Sequence, residues 1–151
     1  MTDEILLTLE GRRKIEQGLA NLKNRRKLVV ERIRAAREYG DLAENSEYED
    51  AKNEQSFVEG RVLELEEMLR RAKVVAKNGT DKIEIGSTVV LKMDGQQIEY
   101  TLVGASESDP ALGRISSESP IGHSLLGKTK KEKVEIMTPK GRTTYEIIAI
   151  K

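Results

Sequence analysis

Between residues 38 and 50 stand six carboxylates, Glu38, Asp41, Glu44, Glu47, Glu49 and Asp50, with no Lys or Arg among them. Carboxylate oxygens together with water are what a hard cation such as Mg2+ prefers. Immediately before them, residues 23–37 carry seven Lys or Arg and one acid, Glu31. A basic run of this kind attracts phosphates or acidic surfaces within a Debye length, about 8–10 Å. A plainer reading stands beside the chemical one. Asp, Asn and Ser within residues 41–46 suit a helix N-cap, Glu47 suits a first turn, and most of the basic run reads as solvated helix surface. The charge pattern by itself favours that plainer reading.

Other chemistry is sparse. The 151 residues include no Cys and one His, His123, which removes thiolate nucleophiles, disulfides, thiolate zinc sites and most imidazole chemistry. A zero net charge hides the local contrast, and 37% hydrophobic, 34% charged and 3% aromatic content is lean for one large core. No apolar run is long enough to span a membrane and no basic-then-apolar leader is present, so a soluble cytoplasmic protein is expected.

Two apolar seams position the acidic stretch. One runs through Ile15, Leu19, Leu22, Arg26, Val29, Ile33 and Ala36, the other through Tyr48, Ala51, Gln55, Val58, Val62, Leu65 and Leu69. Steps of three and four keep one helix face against a partner. Paired in mirror image, Ala36 with Tyr48 down to Ile15 with Leu69, the residue numbers of each pair sum to 84, which puts the fold-back at Leu42. An antiparallel helical hairpin follows. Thr8 can cap its first helix near Leu9, Gly40 supplies a left-handed stop, and arms of about 30 residues are on the order of 45 Å long. Gly11, Gly18 and Gly60 each weaken the arms by about 1 kcal/mol relative to Ala, so seam packing must hold the rod. The polar seam residues Arg26 and Gln55 read as register markers.

Past Ala72 the helical period fades, and Asn78-Gly79-Thr80-Asp81 reads as a linker. Strand-like alternation then covers Ile83–Ile85 with Ser87–Leu91, Gln97–Val103, Val134–Met137 and Thr143–Ile150, with a turn at Asp94-Gly95 and a short helix over Ile121–Leu126. The expected fold is α+β: residues 1–76 a coiled-coil hairpin with an acidic tip, 77–81 a linker, and 82–151 a small antiparallel-sheet domain of four or five strands.

The run from Ala35 to Tyr48, Ala-Ala-Arg-Glu-Tyr-Gly-Asp-Leu-Ala-Glu-Asn-Ser-Glu-Tyr, resembles the tip signature of the bacterial transcript cleavage factors of the GreA/GreB family. Gln55, Glu59-Gly60-Arg61-Val62 and Leu65-Glu66 are similar to the family's second arm, and Ser119-Pro120-Ile121-Gly122 with Leu125-Leu126-Gly127 to its carboxyl-terminal motif. The resemblance covers essentially the whole chain, and Leu42 with the residues after it sits nearer the GreA branch. Departures are few: Ala43 stands where Lys is frequent, Ser46 where Ala is commoner, and Thr129-Lys130-Lys131-Glu132 replaces a Gly-Asp turn.

The resemblance implies an FKBP-like globular domain that docks on RNA polymerase, and a hairpin that enters the polymerase's secondary channel. There it would stimulate the polymerase's own cleavage of the extruded 3′ end of backtracked nascent RNA. By the same carry-over, Asp41 and Glu44 are the acids that help hold Mg2+ jointly with the polymerase, with none tightly bound to the free protein. Arg37 and Lys52 match positions that contact the RNA, while Gly40, Leu42, Asn45 and Tyr48 support the tip. Two acids are an incomplete site, so the chain is expected to be a monomeric cofactor protein and no enzyme by itself, without membrane contact. From the residues alone, Arg37 and Lys52 could equally form ion pairs with Glu38 or Glu49, and seam-placed Tyr48 favours packing over base stacking. Rival functions are a channel-blocking inhibitory paralogue, a plain coiled-coil adaptor, and a prolyl isomerase. For the last, Tyr100 and Tyr145 are too few aromatics to line a pocket.

Overall fold

The computed structural model describes residues 4–40 and 45–151. Strand β1 (Ile5–Leu7) leads into helix α1 (Leu9–Arg37), and helix α2 (Ser46–Arg71) leads into strand β2 (Ala72–Val74). Two compact units result: residues 12–71 form the hairpin, and residues 1–11 join 72–151. The division therefore differs from the expected boundary at 76/77, and the reason is a pair of strands. Ile5, Leu6 and Leu7 pair in parallel with Ala72, Lys73 and Val74, and the Val75 N–H donates to the Leu7 carbonyl at 2.8 Å. Parallel strands require a crossover connection, which here is the whole hairpin. Among the described residues no helix is long and apolar enough to cross a membrane.

In the hairpin every seam residue is withdrawn from water. Val29, Ile33, Ala36, Ala51, Val58, Val62 and Leu65 are buried, and the remaining seam positions, Arg26 and Gln55 included, are half-buried. Fully burying a Val or Leu contributes about 1.5–3 kcal/mol, which offsets the weak intrinsic helicity of arms containing Gly18 and Gly60. The basic run is not simply solvated. Lys23 pairs with Glu66 at 3.8 Å, Arg25 and Arg32 both reach Glu54, and Arg26 grips Glu59 through two hydrogen bonds of 2.6 and 3.2 Å. Hydrogen bonds from Arg25 and then Arg32 keep the Glu54 carboxyl below its ordinary value, so it stays charged. Pairs this exposed add little to stability. What they supply is register: a basic α1 against an acidic α2 matches in one antiparallel alignment.

The second unit carries a five-stranded sheet ordered β5-β4-β3-β7-β6, built from β3 (Thr88–Met93), β4 (Gln96–Val103), β5 (Arg114–Ser116), β6 (Lys133–Thr138) and β7 (Gly141–Ile150). Val89 and Leu91, Val134 and Ile136, Tyr145 and Ile147 alternate inward to form its core with Ile83, Leu102 and Ile115. Helix α3 (Pro120–Leu125), capped by the Ser119 hydroxyl accepting from the Gly122 N–H at 3.1 Å, adds Leu125.

Two expectations need correction. The sheet is mixed, since β5 runs parallel to β4; short 3-10 turns over Ala105–Glu107 and Pro110–Leu112 carry the chain back before it re-enters. Ile83–Ile85 is not a strand of this sheet. Gly86, at φ 99°, turns the backbone there, and the Ser87 hydroxyl accepts from the Glu84 N–H at 2.9 Å. Ile83 and Ile85 are nonetheless buried.

Gly104 marks where β1 crosses the unit. A Cβ on it would lie 1.9 Å from the Leu6 carbonyl oxygen, a backbone atom that can move only if β1 moves. Gly104→Ala should therefore destabilise the unit by about 1–3 kcal/mol. Gly79→Ala, which meets nothing within 4 Å, should stay within about 0.5 kcal/mol of the parent. Denaturant unfolding of both variants checks the contrast.

Candidate nucleic-acid interface and metal-ligating stretch

Helix α1 ends in a tightening turn. The N–H groups of Glu38, Tyr39 and Gly40 donate to the carbonyls of Ala35, Ala36 and Arg37, each at 3.2 Å, and Gly40 takes φ 99°, the left-handed conformation expected of it. Asn45 begins the return. Its side-chain oxygen accepts from the Tyr48 N–H at 3.1 Å, capping α2, while its side-chain N–H donates to the Ala36 carbonyl at 2.7 Å. One amide thus satisfies an orphan donor of one helix and reaches a terminal carbonyl of the other. Asp and Ser have no side-chain N–H group of this kind, so of the polar residues in the stretch the cap falls to Asn45. Asp41, Leu42 and Glu44 lie outside the described residues. In the chain they stand between Gly40 and Asn45.

Tyr48 packs against the cluster of Val29, Ile33 and Ala51, as a seam residue should. The Arg37 guanidinium lies 6.0 Å from its ring centroid, so the ring also props that cation. Lys52 donates to the Gln55 side-chain oxygen at 3.2 Å. Among the described residues, neither Arg37 nor Lys52 forms an ion pair with Glu38 or Glu49, the alternative that sequence had left open.

Arg37 and Lys52 instead line a common groove of about 340 Å³ with Val30, Ile33, Arg34 and Gln55. Its cations come from both helices, its floor is apolar, and Gln55 adds an amide. Arg34 was not singled out from sequence, although it precedes Arg37 by three residues and so shares its helix face. Glu31 hydrogen-bonds Arg34 and pushes its pKa further up, which keeps it charged. Chemically the groove suits an anion attached to a flat or apolar body, the description of a nucleotide.

The described residues contain no cluster of three or more His, Cys, Asp or Glu that would hold a metal. Asp41 and Glu44, which lie outside those residues, are carboxylates, the hard oxygen type of group that Mg2+ takes as ligand.

Comparison with known proteins covers nearly the whole chain. Residues 5–74 match the family model described as transcription elongation factor, N-terminal, and residues 77–151 match that of transcription elongation factor, GreA/GreB, C-term. The transcription elongation factor GreA of Bacillus cereus (strain AH187) is 51% identical over 150 residues, spanning 96% of this chain and 95% of that protein. The corresponding factor of Bacillus subtilis (strain 168) is 50% identical over 148 residues, spanning 95% and 94%. Among solved structures, GreA factor homolog 1 of Thermus thermophilus aligns at a TM-score of 0.47 and 28% identity over 98% of this chain and 99% of that one. With both halves matched by the family's models and half the residues shared with Bacillus GreA, this chain belongs to the GreA/GreB family of transcription elongation factors.

Proposed function

We propose that this elongation factor acts by stimulating RNA polymerase to hydrolyse the 3′ end of backtracked RNA, the hairpin entering the secondary channel while the sheet unit docks outside. The observation that carries the reading is the groove in which Arg34, Arg37 and Lys52 converge, drawn from the two helix ends that flank Asp41 and Glu44 in the chain. Cations there hold the phosphates of a single strand, and acids beside them serve a different step.

The division of labour follows from charge. Arg37, propped by the Tyr48 ring, and Lys52, steadied by Gln55, neutralise the phosphates of the extruded strand and set where it lies. Val30 and Ile33 offer apolar contact to a base. Asp41 and Glu44 would hold Mg2+ jointly with polymerase groups; when bound, that ion supplies positive charge at the phosphoryl oxygens and acidifies water. Asn45, which bonds the Ala36 carbonyl and the Tyr48 N–H, and Gly40 close the two helix ends on either side of these acids in the chain. The chain provides ligands and positioning and leaves bond cleavage to the polymerase.

The test uses stalled, backtracked polymerase carrying 3′-labelled RNA. Adding the protein should release short labelled fragments in a Mg2+-dependent way, well above the polymerase's own rate. Unchanged RNA at saturating protein would remove this reading and favour the channel-blocking one.

A further inference from the structure

The groove of the hairpin is polar in one sense only. Val30, Ile33, Arg34 and Arg37 line it from α1, Lys52 and Gln55 from α2, all within the hairpin unit. The two guanidinium groups and the ammonium can only donate hydrogen bonds. Gln55 could both donate and accept, but Lys52 donates to its Oε1 at 3.2 Å. An ammonium has no lone pair, so this contact settles which end of the amide is the oxygen. The Nε2 group therefore lies on the side away from Lys52, with no partner among the described residues. Glu31, which takes one N–H of Arg34 at 2.7 Å, does not line the groove. A ligand thus meets an apolar floor, Val30 and Ile33, under a rim of N–H groups. Packing of the coil does not account for the amide. Arg26, the other polar seam residue, makes two hydrogen bonds to Glu59 on the opposite arm, whereas the Gln55 bond stays within its own helix.

We propose that this groove selects guanine among the bases of the RNA strand it holds, with Gln55 as the specificity-determining residue. The proposal deepens the cleavage reading and rests on it for the identity of the strand. A purine covers more of the apolar floor than a pyrimidine does. Between the purines, guanine presents two adjacent acceptors, O6 and N7, which suit a rim of N–H groups. Adenine keeps N7 but carries the N6 amino group, a donor, where guanine has O6. Against this rim the amino group faces another donor, and leaving both without an acceptor costs more than the lost bond alone. The cations neutralise phosphate whatever the base, so every RNA gains affinity from them and the amide adds the preference.

Two measurements on the full chain test this. In the first, the 5′-monophosphates of guanosine, inosine, 7-deazaguanosine and adenosine are titrated into isotope-labelled protein, and the side-chain N–H resonances of Gln55, Arg34 and Arg37 are followed by NMR. The guanosine and inosine nucleotides, which share O6 and N7, should bind alike and about fivefold more tightly than the adenosine nucleotide, the low end of what a bidentate contact discriminates, since the groove is open to solvent. The 7-deaza nucleotide, lacking one acceptor, should fall between. Gln55→Met keeps the side-chain volume at a half-buried seam position and should bring the guanosine and adenosine nucleotides to within about twofold of each other. In the second measurement, backtracked polymerase carries an extruded segment that is all adenine or has one guanine at each position in turn. At one position guanine should lower the half-saturating concentration of the parent protein about fivefold, and Gln55→Met should not respond to it. Equal binding of the guanosine and adenosine nucleotides, a guanine preference that survives in Gln55→Met, or no shift at the three resonances with any nucleotide overturns the proposal. A preference for the free nucleotide with no guanine effect at any position of the RNA overturns it too. Failure of the parent protein to stimulate cleavage would remove the cleavage reading alone, because a nucleotide preference lost in Gln55→Met would still identify Gln55 as the residue that reads the base.

Discussion

In the double variant Asp41→Asn/Glu44→Gln, stimulated cleavage should fall to the rate of polymerase alone, while folding and polymerase binding stay at parental levels. Each replacement is nearly isosteric and removes a negative charge from a stretch with six acids, so self-repulsion among them is relieved. The caps at the neighbouring helix ends use the Asn45 amide, which donates to the Ala36 carbonyl and accepts from the Tyr48 N–H. Neutral amides bind Mg2+ far more weakly than carboxylates do. A single variant should therefore be partly rescued by raising Mg2+, because a weakened site still fills by mass action. Binding competition against the parent, run beside the cleavage assay, separates loss of chemistry from loss of docking. Wild-type cleavage by the double variant would show that the acids have no ligand role.

Arg37→Ala with Lys52→Ala gives the complementary pattern in the same assay, and the comparison explains why the groove was only half legible. The resemblance to the family's tip singled out Arg37 and Lys52, which the residues alone left equally open to ion pairing. It did not locate Arg34 or Val30, because a groove is a property of two packed surfaces and each of those residues lies off the seam. The seam itself was read residue by residue, since helical periodicity and a mirror rule leave one alignment that buries apolar groups on both arms. Long-range strand pairs follow no such local rule. Ile5-Leu6-Leu7 is a short apolar run, but nothing in its pattern names Ala72–Val74 as its partner. Likewise β5 has only three residues, too few for alternation to register. Nor could sequence show that the Glu107 side chain fills the space beside Gly11, since the two residues are distant in the chain.

The mirror alignment also makes the length of the rod a variable that can be changed without breaking it. Removing Leu19–Arg25 together with Glu59–Leu65 takes one heptad from each arm, and because 19 pairs with 65 and 25 with 59, the remaining seam stays in register. One contact shows how well the halves rejoin. Arg26 now grips Glu59, and in the shortened chain Glu66 follows Val58 and takes the place of Glu59 opposite Arg26. The Lys23 and Arg25 pairs and the burial of Val62 and Leu65 are lost, so the melting temperature should fall, but Val29, Ile33, Ala51 and Val58 remain to hold a two-helix core. Deleting Leu19–Arg25 alone leaves the arms mismatched in length and should be far more destabilising. The symmetric variant is shorter by roughly 10 Å, seven residues at about 1.5 Å each. If the hairpin carries Asp41 and Glu44 to a distant active site, this variant should compete with the parent for polymerase yet release no labelled RNA. A displacement of about 1 Å can already cost on the order of a hundredfold in rate, and a shift ten times larger leaves no residual activity to expect. Strong cleavage by the folded, symmetrically shortened protein would mean that the effect is exerted where the sheet unit docks, with the length of the arms immaterial to it.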